Sequence, residues 1–184
     1  MNNPTLLHVI KAPNKLLRVP SQAVGVVNDS TRKLIEDMFH TIDQHGSIGL
    51  AATQVGRTER VIVVDVEPLD ADGEDTSNVK SHGRLAIVNP KLVESRGSSI
   101  WTERCMSVPG QSGKVERSTY IKVQGLNENG ENIEVEAFGL LSCCLQHEID
   151  HLDGKLFFDR LSRVKRDILL RKMKKYQKRV LGRR

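Results

Sequence analysis

The run His147-Glu148-Ile149-Asp150-His151 lies inside a segment, Gly139 to Leu152, that reads as a helix ended by Gly154. Leu141, Leu145, Ile149 and Leu152 make one apolar stripe on it, and Leu140, Cys143 and Cys144 share the side that carries the histidines. A helix apolar on two sides has to be buried, so any fold of this chain must wrap two imidazoles and a carboxylate into its interior. At 100° per residue the histidines stand roughly 40° apart around the axis and one turn apart along it, so both rings can reach one ion. Glu148 flanks that face. There it can touch a metal-bound water without displacing it, which is why the H-E-x-x-H spacing recurs in metallohydrolases. Buried without a cation, these polar groups would be costly.

A catalytic ion takes three protein ligands and keeps one position for water. No Glu or His stands downstream of His151 at the spacing of zincin endopeptidases, because the chain becomes basic there. Upstream, Glu103-Arg104-Cys105-Met106-Ser107-Val108-Pro109 offers a thiol in a turn-like stretch. Cys143, one turn before His147 on nearly the same face, is the rival; its plain alternative is a small buried hydrophobe. The helix motif alone also fits a zinc-dependent endopeptidase. A site closed by four protein ligands would instead mark a structural metal in a nucleic-acid-binding protein. Three cysteines, two of them adjacent, do not make a disulfide framework.

At 184 residues the chain suffices for one domain with a buried core. Asn28, Asp29 and Ser30 precede Leu34, Ile35, Met38, Phe39 and Ile42, which predicts an amphipathic helix over about residues 30 to 45. Small residues follow from Gly46 to Gly56, and Arg60 to Val66 reads as a buried strand. Glu67 to Arg84 is polar and acidic, an expected exposed loop. Leu85 to Val88 and Lys91 to Glu94 read as short extended pieces around Asn89-Pro90; Tyr120 to Leu126 and Asn132 to Phe138 flank Glu128-Asn129-Gly130 as a hairpin. The fold class expected is α+β: mostly antiparallel strands around the central buried helix, with further helices near the N- and C-termini.

Charge divides the chain. Residues 161–184 hold 11 Lys+Arg and one acid, Asp167, against 17 basic and 22 acidic residues in 1–160. We therefore expect a metallohydrolase body over 1–160 and a basic helical tail over 161–184. In the tail, Leu169, Met173, Tyr176 and Val180 form one narrow apolar stripe, and the other faces suit a polyanion. No segment has the apolar length of a signal h-region or a membrane span, so the expectation is a cytoplasmic protein with no membrane partner.

Three segments together resemble peptide deformylases: Ile48-Gly49-Leu50-Ala51-Ala52-Thr53-Gln54, Glu103-Arg104-Cys105-Met106-Ser107, and Gln146-His147-Glu148-Ile149-Asp150-His151-Leu152-Asp153-Gly154. Their order and wide spacing match as well. The resemblance implies removal of the N-formyl group from nascent polypeptides, with release of formate. It implies Cys105, His147 and His151 as ligands of one Fe2+, which Zn2+, Ni2+ or Co2+ can replace, and Glu148 as the general acid/base. The Gln54 side chain and the Met106 backbone N–H would steady the oxyanion, and backbone around Ile48 and Gly49 would hold the peptide extended. Ser47 and Arg104 stand where the family pattern usually has glycine, and Arg104 brings a long cation to the mouth of the site. Some members reach the ribosome with a C-terminal helix, so the tail is expected near the exit tunnel. Asp150 is expected either to accept from an imidazole N–H or to pair with a basic residue.

Overall fold

Asn28 starts the first long helix: its side chain accepts from the Thr31 amide at 3.1 Å, and Gly46 (φ 59) ends the helix in left-handed conformation. This computed structural model describes residues 3–66 and 83–181. Helix α1 (Asp29–His45) buries Leu34, Ile35, Met38 and Ile42. Phe39, expected on the same face, is only half-buried and lies under the Arg84 guanidinium, 5.4 Å from the ring centre.

Strands β1 (Gly49–Ala51), β2 (Val61–Asp65), β3 (Arg84–Arg96), β6 (Tyr120–Leu126) and β7 (Asn132–Phe138) form an antiparallel sheet in the order β1-β2-β3-β6-β7. Strands β4 (Ser99–Arg104) and β5 (Ser112–Arg117) make a separate two-stranded sheet. Helix α2 (Gly139–Leu152) covers one face of the large sheet, where Leu141, Cys144, Leu145 and Leu152 meet Ile62, Val64, Ile121 and Val123. Helix α1 covers the other, against Val61, Val63, Ala86 and Val88. Being covered on both faces explains why β2 is apolar at successive positions instead of alternating.

The architecture is the α+β class expected, with differences in detail. The two pieces around Asn89-Pro90 are one strand, bent where Asn89 takes φ 55 and the register slips. Asn89 stabilises that bend by accepting from the Val24 amide and donating to the Val24 carbonyl, both at 2.8 Å. Pairing with β6 then resumes beyond Pro90. Glu103 and Arg104, read as part of a turn, end β4; the turn begins at Cys105, whose carbonyl accepts from the Val108 amide at 2.9 Å. Of the loop expected over Glu67–Arg84, residues 67–82 lie outside the described residues, and Arg84 opens β3.

Helix α3 (Arg163–Leu181) docks through Leu169 and Met173 onto Leu17, Val108, Val115, Leu156 and Phe157. Tyr176 is more exposed and rests on Gly110, and the Val180 side chain lies outside the described residues. Gly154 (φ 71) lets the chain leave α2: a β-carbon there would lie 2.6 Å from the Arg18 carbonyl oxygen.

Candidate metal centre and its cavity

His147 and His151 stand one turn apart on α2, with Nε2 atoms 3.1 Å from each other. The turn after β4 brings Cys105 Sγ to 3.2 Å from His151 Nε2, and one donor atom from each of the three residues lies within 4.8 Å of the others. Ligands on a tetrahedral ion with bonds of about 2.0–2.3 Å are spaced about 3.3–3.6 Å apart, so this set is close to the right size for one cation. Cys143 is turned away, its Sγ 3.7 Å from Glu103 Oε1, and burial with that carboxylate pushes its thiol up to about 12.

Two buried side-chain nitrogen or oxygen atoms have no hydrogen-bond partner among the described residues: Glu148 Oε2 and His151 Nδ1. An unpartnered carboxylate oxygen beside three converging electron-pair donors fits a site built around a cation. Burial pushes the Glu148 carboxyl up to about 7, and burial together with neighbouring cationic groups holds His151 well below its usual value, as a neutral imidazole able to ligate.

The acceptor for an imidazole N–H is Glu103, which the sequence reading gave no role: His147 Nδ1 lies 2.7 Å from Glu103 Oε2. That contact fixes the ring with Nε2 toward Cys105 and His151. Burial alone would raise Glu103, but hydrogen bonds from His147 and Arg117 outweigh it and hold the carboxyl at about 2. Asp150 takes the second of its two expected roles, pairing with Arg117 and Arg160.

Gln54 is buried in a short 3-10 turn, Ala52–Val55, that Thr53 ties to α2 by donating to the His151 carbonyl at 3.1 Å. Its Oε1 accepts from the Ala51 amide at 2.8 Å, which leaves Nε2 facing Cys105 Sγ at 3.4 Å and Ser107 Oγ at 3.2 Å. The Ser107 amide also donates to that sulfur, at 3.3 Å. Ser107 is a second residue whose part the sequence reading did not anticipate.

A cavity of about 560 Å³ opens beside these groups. Ile48, Trp101, Leu140 and Cys144 form its apolar wall; Gln54, Cys105 and Glu148 line the polar end, with Gly49, Arg104 and Met106 also bordering it. Ile48 and Arg104 are exposed. Ser47, at a departure from the family pattern, donates through Oγ to the Gly49 carbonyl at 3.2 Å.

The sequence model for polypeptide deformylase matches residues 6–167. A peptide deformylase of Neisseria meningitidis serogroup C is 42% identical over 173 residues, covering 94% of this chain and 97% of that protein. The crystal structure of an Ehrlichia chaffeensis peptide deformylase in complex with actinonin superposes with a TM-score of 0.84 at 38% identity, covering 94% of this chain and 98% of that one. A Met-Ala-Ser-bound class I type b peptide deformylase from Acinetobacter baumannii gives a TM-score of 0.76 at 30% identity, covering 85% of this chain and 99% of that one. Such enzymes are metal-dependent hydrolases that remove the N-formyl group from nascent polypeptides. On a match that runs from Leu6 to Asp167 and takes in every residue of the cluster, this chain belongs to the polypeptide deformylase family.

Proposed function

We propose that this chain performs deformylation of formyl-methionyl N-termini with Cys105, His147 and His151 as ligands of one Fe2+, and with Glu148 moving the proton. The observation that carries this reading is the convergence of three donor atoms beside the unpartnered Glu148 oxygen at the end of the cavity. One thiolate with two imidazoles also suits Zn2+, Ni2+ or Co2+. When bound, the ion supplies Lewis acidity to the formyl oxygen and to water.

The rest falls to the protein. Glu148, desolvated and titrating near neutrality, takes the proton of the attacking water and passes it to the departing amine. As negative charge gathers on the formyl oxygen, the Gln54 amide, held by Ala51, and the backbone N–H of Met106 donate to it. Ile48, Trp101 and Leu140 receive the methionine side chain, and backbone at Ile48 and Gly49 keeps the peptide extended. The Met-Ala-Ser ligand of the Acinetobacter enzyme supports a methionyl peptide in such a site. Arg104 borders the entrance. Iron-loaded protein handled without oxygen should release formate from formyl-Met-Ala-Ser. Cleavage of an internal peptide bond without formate would favour the zinc endopeptidase instead.

No described helix is long and apolar enough to cross a membrane. We place the reaction in the cytoplasm, on chains leaving the ribosome, with 1–160 as the catalytic part and 161–184 as the attachment. Helix α3 supports this by docking with Leu169 and Met173 while leaving Arg171, Lys172, Lys174, Lys175 and Lys178 exposed to a polyanion such as ribosomal RNA. Removing everything after Arg160 would strip the cover from Leu17, Val115 and Phe157, so charge reversal is the cleaner test. Glu at positions 171, 174, 175 and 178 should abolish co-sedimentation with ribosomes at low salt and spare hydrolysis of free peptides. Unchanged co-sedimentation would remove the tail from this role.

A further inference from the structure

Arg117, the last residue of β5, is the largest fully buried side chain in the protein's described residues, and it carries a charge. Its Nε and Nη2 hold both oxygens of Glu103, at 2.6 and 3.0 Å, while Nη1 reaches Asp150 Oδ2 at 2.6 Å. Asp150 is held from its other side by the half-exposed Arg160, at 2.5 and 2.6 Å. A continuous line of charge-assisted hydrogen bonds thus runs Arg160, Asp150, Arg117, Glu103, His147. The four ionised side chains sum to zero, so the cluster adds no net charge to the interior.

Buried ion pairs are often matched or exceeded in stability by apolar residues of the same volume, so stability is a weak account of such a cluster. What it adds is position. Glu103 Oε2 accepts from His147 while both carboxylate oxygens are gripped by one planar guanidinium, so the carboxylate cannot rotate away from the ring. Cys143 Sγ, 3.7 Å from Oε1, closes the remaining side. The guanidinium fork can hold Glu103 and Asp150 at once; a lysine ammonium, a single point charge, cannot reproduce that geometry.

We infer that Arg117 is a positioning residue for the metal site: through Glu103 it fixes the tautomer and angle of His147 and so sets the affinity for the ion. This rests on His147 being a ligand. Loss of Zn2+ binding on Cys105→Ser and on His147→Ala checks that reading separately, whatever Arg117 does.

The decisive experiment is a double-mutant cycle on Zn2+ affinity, measured by competition with a chromophoric chelator, using wild type, Arg117→Lys, Glu103→Gln and the double variant. Arg117→Lys should weaken Zn2+ binding by about 10-fold or more, the size typical of losing a partner that orients a ligand. The double variant should bind no more weakly than Glu103→Gln alone, since both changes act through one contact. With Co2+ in place of Zn2+, the ligand-field bands of Arg117→Lys should move the same way as those of Glu103→Gln. Val123→Ala, which loosens the core under α2 without touching Glu103, should leave affinity and bands unchanged. Wild-type affinity in Arg117→Lys, or full additivity in the double variant, overturns the inference.

Discussion

Gly49 and Glu148 touch so closely that a β-carbon on Gly49 would lie 2.6 Å from Glu148 Oε1 and 2.8 Å from Cys144 Sγ. Backbone of the β1 edge therefore serves as a wall for Glu148, the proposed proton carrier. Gly49→Ala should push the carboxylate out of place and lower kcat by about 100-fold, the cost of an ångström-scale misplacement. Metal content should stay at one ion per chain. Wild-type turnover in that variant would mean Glu148 has room that the packing denies it.

Glu148→Gln keeps the shape of the side chain and removes its proton chemistry. Deformylation should fall by about 100-fold to 10,000-fold, the usual contribution of a positioned acid/base, with metal retained. Elemental analysis beside a formate assay separates this outcome from loss of the ion.

The two thiols near the site should behave oppositely. Cys105→Ser should lower metal affinity by at least about 10-fold, a hydroxyl being a poor replacement for a thiolate. Cys143→Ser should keep the metal, because that thiol faces Glu103 and stays protonated with its value near 12. Metal loss in Cys143→Ser with normal binding in Cys105→Ser would reverse the assignment.

Glu148 also makes chelator-treated protein sensitive to rising pH. Unfolded, it releases its proton near the ordinary value of 4.5; folded, burial delays release to about 7. Between those values the folded state holds the extra proton, so stability falls as pH rises, and the full cost is present above 7. Glu148→Gln lacks this term. Urea unfolding of metal-free protein should show the variant gaining on wild type by about 3 kcal/mol between pH 4.5 and 8. A constant difference across that range would show that Glu148 titrates as an exposed carboxylate.

Arg104→Gly tests the departure at the mouth. Because the side chain is exposed and borders the cavity without being one of the converging donors, KM for short formyl peptides should change more than kcat. A fall in kcat equal to that of Glu148→Gln would place Arg104 in the chemistry.

The elements most legible in the sequence are those whose pattern and packing agree. Helix α2 and the β6–β7 hairpin run over the residues expected, since apolar period and turn chemistry point to the same answer. The β4–β5 hairpin was hidden because Glu103 and Arg117 share the inward face with Trp101 and Val115 and break the apolar alternation that marks a half-buried strand. Spacing alone cannot distinguish a buried ion pair from a solvated face. For the same reason Glu103 passed unnoticed as the partner of His147, although it stands two residues before Cys105. Sequence leaves Asp150 open between two partners because the arginines that converge on it stand 33 residues upstream and 10 downstream.

Two of the three donor atoms belong to α2, and the third to the turn leaving the small β4–β5 sheet, which is paired separately from the large one among the described residues. A cation shared among them is therefore a clasp between separately paired parts of the chain, and mass action makes its binding energy part of the energy of folding. On the proposed ligand set, metal supply should govern lifetime as well as turnover: a starved molecule would be idle and, in the same stroke, easier to unfold and degrade.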